Sequence, residues 1–121
     1  MSHTDLFLDE SMDYTQMIAE TGMYLEYDLW GREGNFPEIN VVIPSDTQKL
    51  SAVFKLLQEG YVDQLLLAQD ICWKIQLMSY GGTGYAHILR DVLPLFRQAG
   101  ITEDEIRTML LENPKCVLKF I

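Results

Sequence analysis

Apolar and polar positions alternate between two periods along this chain. The sharpest signal is the run Leu65-Leu66-Leu67-Ala68, which is followed by Gln69 and Asp70. It is of strand length and too apolar for a surface strand, so it reads as a buried parallel strand over Leu65 to Asp70, covered on both faces. Met23 to Asp28 alternates enough to predict a second strand, with Leu25, Tyr24 and Tyr27 suited to a pleated surface. Helical spacing surrounds the strands. A first helix is predicted from about Ser11 to Glu20, with Tyr14, Met17 and Ile18 on one face and Gly22 suited to end it. Ser45 and Gln48 match a capping box that opens a second helix through Leu50, Val53, Phe54 and Leu57, closed by Gly60. A third helix from about Tyr85 carries Ile88, Leu89, Val92, Leu93 and Phe96, with a kink or break expected at Pro94 and an end at Gly100. Thr102 and Glu105 form another capping box before Ile106, Met109 and Leu110, and Asn113-Pro114 should stop that last helix. Long loops are expected over Gly31 to Pro44 and Ile71 to Gly84.

The order helix, strand, helix, strand, helix, helix predicts an α/β protein with a parallel sheet. Two parallel strands alone make a poor domain, because each needs neighbours and exposed edges invite pairing with another chain. Polar residues stand where strands hand over to loops, at His3, Asp28 and Asp70. In barrel enzymes such positions do the chemistry, but a closed (β/α)8 barrel takes roughly 250 residues. At 121 residues, the chain is either a small two-layer domain or the back end of a larger enzyme.

Composition narrows the function classes. The hydrophobic share of 48% is that of a globular chain, and nothing approaches the roughly 20 unbroken apolar residues of a membrane span. A net charge of −9 disfavours a nucleic-acid partner. The opening residues lack the basic start and apolar run of a secretion signal, so a cytoplasmic setting is expected. Cys72 and Cys116 share no motif spacing and read as two reduced thiols.

Asp70 could be a metal ligand or a proton acceptor; it could equally cap a turn or pair with Lys74. Asp28 also ends a strand, but aspartate is common in turns. On composition alone His3 reads as a solvated terminal histidine and His87 as a packed helix residue. Gly81-Gly82-Thr83-Gly84 precedes a helix and could cradle an anion with its backbone N–H groups, but it lacks the Lys-Ser/Thr of a P-loop. Trp73 could line a pocket or simply cover a loop. No Ser/His/Asp or Cys/His set can be argued for, and no His-x-His or Cys-x-x-Cys spacing supports a zinc site built from this chain alone.

Several runs carry a resemblance. They are Ser2-His3-Thr4-Asp5, Tyr24 through Gly31, Pro44-Ser45-Asp46, Gln69-Asp70-Ile71, Tyr80-Gly81-Gly82, Gly84 through Leu89, and Glu112-Asn113-Pro114. In order and spacing the chain resembles the phosphotriesterase-related branch of the amidohydrolase-like, metal-dependent hydrolases over essentially all 121 residues. The resemblance implies the C-terminal part of a (β/α)8 TIM barrel, from the end of strand 6 through helix 8, as an incomplete barrel. It further implies two divalent metal ions, usually zinc, in the full-length protein. His3 matches a sixth-strand ligand of the more exposed metal. Asp70 matches the eighth-strand aspartate that binds the more buried one and accepts the proton of the bridging water. Trp73 and Lys74 are the pocket residues we would name, and the expected partner is a small-molecule substrate: a phosphotriester, a lactone or other carboxyl ester, or an N-acyl amide such as acylated taurine. The remaining family ligands, on the first, fourth and fifth strands, have no match here. The isolated chain is therefore expected to be inactive, as a fragment, isoform or truncated gene product. The alternative is a non-catalytic half-barrel that self-associates through open sheet edges, and a weaker one is a phosphate-binding module using Gly81 to Gly84.

Overall fold

The computed structural model describes residues 1–8 and 13–119. Two short strands form its centre. Strand β1 (Leu25–Tyr27) pairs in parallel with β4 (Leu65–Leu67), Leu25 facing Leu65 and Tyr27 facing Leu67. Ala68 N–H extends the ladder to the Tyr27 carbonyl at 2.9 Å. On the far side of β1, the Met1 amino group donates to the Tyr24 carbonyl, and Glu26 N–H donates to the Met1 carbonyl at 2.8 Å. The first residue thus runs beside β1, giving the lateral order Met1, β1, β4, and His3 emerges at the same end of the sheet as Asp28 and Asp70.

Helix α2 (Asp46–Gln58) begins at the expected capping box. Its Val53 and Leu56 pack against Leu25, Tyr27 and Leu65 in a core completed by Trp30, Val92, Phe96 and Met109. Trp30 and Phe96 meet edge to face at 5.4 Å between centroids. Leu65 is fully buried, whereas Leu66 and Leu67 are only partly covered, so the two-sided cover expected for this strand is incomplete.

Three readings change. The first helix, α1 (Asp13–Glu20), turns Thr15 and Ala19 inward and leaves Tyr14 and Met17 exposed. The small pair four residues apart lets the helix approach closely, and Tyr14 instead meets the Phe7 ring at 5.1 Å. The expected start at Ser11 lies outside the described residues. The stretch from Gly31 to Pro44 is no plain loop, because β2 (Gly34–Phe36) and β3 (Val41–Ile43) form an antiparallel hairpin turned at Asn40, φ 52°.

The prolines neither break nor stop their helices. A π turn over Ile88–Val92 leads into α3 (Leu93–Gln98), and a second over Thr108–Glu112 joins α4 (Glu103–Arg107) to α5 (Asn113–Leu118). Leu93 N–H reaches back to Ile88 and Asn113 N–H to Thr108. Each wide turn shifts the hydrogen-bond register just before a proline, and the helix continues past it. Asn113 is buried, and its side-chain amide donates to the carbonyls of Val62 and Leu65, both at 2.8 Å, docking this helix on β4. No helix among the described residues is long and apolar enough to cross a membrane.

Candidate active site

The residues at the loop ends of β1 and β4 converge on one cavity of about 210 Å³. His3, Arg32, Asp70 and Trp73 form its polar rim, and the hairpin supplies Phe36, Ile39, Val41 and Ile43 as apolar wall. His3 and Asp70 both hold left-handed backbone angles, φ 53° and 43°. Non-glycine residues pay for that conformation, and such strain concentrates where side chains must be aimed.

His3 is oriented by Asp28. Its Nδ1–H donates to Asp28 Oδ1 at 2.7 Å, while Ser2 Oγ and His3 N–H reach Oδ2 at 2.6 and 3.2 Å. The hydrogen bond it donates to Asp28 raises the His3 pKa above its ordinary value, against an opposing effect of burial. Nε2 is then the lone pair left for a ligand, the arrangement in which a carboxylate backs a metal-binding histidine. Nearby Asp5 accepts Leu29 N–H at 2.8 Å through one oxygen, while the other is buried with no partner. Burial pushes the Asp5 carboxyl up to about 6.

Asp70 pairs with Arg32, whose guanidinium donates to Oδ2 at 2.8 Å and lies 5.1 Å from the centre of the Trp73 ring. The Lys74 alternative for Asp70 is not what forms: Lys74 Nζ sits 4.4 Å over the Tyr80 ring and is not among the cavity residues. Trp73 does reach the cavity. Arg32 was not singled out by sequence, and Asp28 was noted only as a strand end. The signal for Asp28 was present in its polar strand-terminal position; nothing local to Arg32 marks its partner 38 residues away.

The Gly81 to Gly84 stretch is spent on its own fold. N–H groups of Gly81, Gly82 and Gly84 donate to the carbonyls of Met78, Leu77 and Gln76. A Cβ on Gly82 would meet the Gln76 backbone at 2.2 Å, so the loop wraps Gln76 tightly. Gln76 Oε1 in turn accepts from Cys72 and Trp73 N–H at 2.8 and 2.7 Å, which sets the loop that carries Trp73.

The family profile of the phosphotriesterases matches residues 1–118. The chain belongs to the phosphotriesterase family. A relative in zebrafish (Danio rerio), N-acetyltaurine hydrolase, is 42% identical over 99% of this chain and 35% of its own length. Among solved structures, a resiniferatoxin-binding protein from Rhodobacter sphaeroides superposes with a TM-score of 0.83 at 34% identity, over 88% of this chain and 30% of that one. A mutant of a phosphotriesterase-like lactonase from Deinococcus radiodurans superposes at 0.77 with 30% identity, over 93% and 36%. The chain thus spans about a third of the length of the relatives it matches. Its β1 and β4 correspond to neighbouring strands of a TIM barrel, and among the described residues no closed barrel forms.

Phosphotriesterase-family hydrolases are metal dependent. Among the described residues no group of three or more His, Cys, Asp or Glu side chains is arranged to hold a metal ion. His3 and Asp70 suit that chemistry singly, but these residues on their own do not fit a two-metal centre.

Proposed function

We propose that this chain is the C-terminal part of a hydrolase of ester or related bonds, acting on a small phosphotriester, lactone or N-acyl amide. His3 and Asp70 are its contribution to a site for two divalent ions, zinc in the first instance, completed by residues outside this chain. Asp70 serves as acceptor of the proton that an attacking water gives up, once Arg32 shares or releases its carboxylate. Trp73 and the hairpin wall shape the substrate end of the cavity. The free cysteines suit a cytoplasmic setting. The observation that carries this reading is the convergence of His3 and Asp70 on one cavity at the same end of two parallel strands. The chain alone is inactive, because two donors cannot hold two metals.

Two assays test this. The purified chain in excess zinc should show neither stoichiometric metal nor hydrolysis of N-acetyltaurine, an aryl phosphotriester or a γ-lactone; finding both would overturn the claim of inactivity. Joined behind the N-terminal two thirds of the zebrafish relative, it should hydrolyse at least one of these, with Asp70→Asn costing about 100-fold or more. A folded chimera that hydrolyses none of them would sink the hydrolase reading.

A second reading has one observation in its favour. Among the described residues β4 is hydrogen bonded to a strand on one side only. In that reading the chain is an interaction module that pairs through this edge.

A further inference from the structure

His87 is nearly buried, yet it lies outside the cavity that holds His3 and Asp70. Its Nε2 lies 2.6 Å from Asp46 Oδ2 and its Nδ1 lies 2.8 Å from Asp91 Oδ2. An ionised carboxylate offers only lone pairs. For Asp46, burial pushes the carboxyl up, but bonds from Gly31 N–H, His87 and Lys49 together hold it below its ordinary value. Asp91 is held at about 2, chiefly by Arg90. The ring therefore bridges two carboxylates, one on α2 and one on its own helix, each of which is held by further donors.

What this bridge braces is the turn after β1. The other oxygen of Asp46 accepts Gly31 N–H at 2.9 Å and Lys49 Nζ at 3.2 Å. Lys49 also donates to the carbonyls of Leu29 and Arg32, at 2.6 and 2.7 Å. Gly31 packs on the ring itself: a Cβ there would fall 2.8 Å from His87 Cδ2 and 2.5 Å from Thr83 Oγ1. The turn ends in Arg32, whose guanidinium reaches Asp70 and the Trp73 ring.

We propose that His87 is a positioning residue for the cavity: by bridging Asp46 and Asp91 its ring fixes the Leu29–Arg32 turn and so aims Arg32 at Asp70 and Trp73. The charged groups facing it are Asp46 from α2, with Lys49 behind it, and Asp91 with Arg90 from its own helix. The inference builds on the proposed site, but its test reads the Arg32–Trp73 contact and not hydrolysis, so the two can fail separately.

The readout is Trp73 emission and quencher access in the full chain, isolated by subtracting the spectrum of Trp73→Phe. Arg32→Met defines the signal of a lost contact. His87→Gln should move Trp73 most of the way to that signal while the far-UV spectrum and cooperative melting persist. A folded His87→Gln with the parent Trp73 signal overturns the proposal, as does an Arg32→Met chain that leaves the signal unmoved. Should His87→Gln not fold, Asp91→Ala decides: a shift toward the Arg32→Met signal supports the proposal, and the parent signal overturns it.

Discussion

Lys49 is fully buried, and its ammonium ends among the carbonyls of Leu29 and Arg32 and the Asp46 carboxylate. Removing a buried charge from its partners strands them without water. Lys49→Met should therefore lower unfolding free energy by about 3 kcal/mol in urea titrations, although methionine fills much of the same space. Gly31 makes the complementary prediction. At φ 82° with the Thr83 hydroxyl in the way, Gly31→Ala combines left-handed strain with overpacking, and a loss of about 2–4 kcal/mol is expected. The Asp46 carboxylate sets the acid limit. Its folded-state pKa lies below the ordinary 3.8, so its contribution is present above about pH 4 and is lost as the pH falls through the lower folded value. Urea midpoints measured down the acid limb should fall less steeply in Asp46→Asn, which will also be less stable at pH 7. Apart from the i,i+3 pair of Asp46 and Lys49, these pairings were not legible in the sequence. Asp70 stood out by its strand-end position and His3 through family resemblance, but Asp28 meets His3 across 25 residues, Arg32 meets Asp70 across 38, and Lys49 meets the Leu29 and Arg32 carbonyls across 20 and 17, and local pattern carries no record of such separations.

Local chemistry did mark the elements wherever one element's own residues decide its boundary. Both capping boxes form as spelled: Ser45 Oγ accepts Gln48 N–H and Thr102 Oγ1 accepts Glu105 N–H. Ser45→Ala should cost about 1 kcal/mol, and because Ser45 opens the turn that carries Asp46, its melting curve should move further than that of Thr102→Ala. The proline readings failed because a proline's effect depends on the register of the turn before it. A π turn stands just upstream of Pro94 and of Pro114, and the helix runs on through each. The hairpin β2–β3 stayed hidden for another reason. Gly34, Pro37 and Asn40 punctuate the stretch as a loop would, and three-residue strands are too short for alternation to show.

At the scale of the whole molecule, the parallel pattern and the sense of an unfinished sheet were legible, since strand-like runs alternated with helices and only two were found. What covers the open side was not, and it decides between the two readings of function. Ala68 N–H points across to Tyr27 on β1. Along a parallel strand successive N–H groups alternate sides, so the Leu67 amide faces away from β1, toward the outer edge of β4. That amide is a sensor of the edge. In a dilute isolated chain it should exchange with solvent quickly, while the Ala68 amide is protected. Joined to the N-terminal two thirds of a relative, a barrel seam should close over the edge and slow Leu67 exchange by at least tenfold, independently of concentration. If the chain is an interaction module, protection should appear instead in the isolated chain as its concentration rises, in step with a larger sedimentation coefficient. Fast exchange in both settings would remove the edge as a site of assembly, and with it the physical link between this fold and a closed barrel mouth.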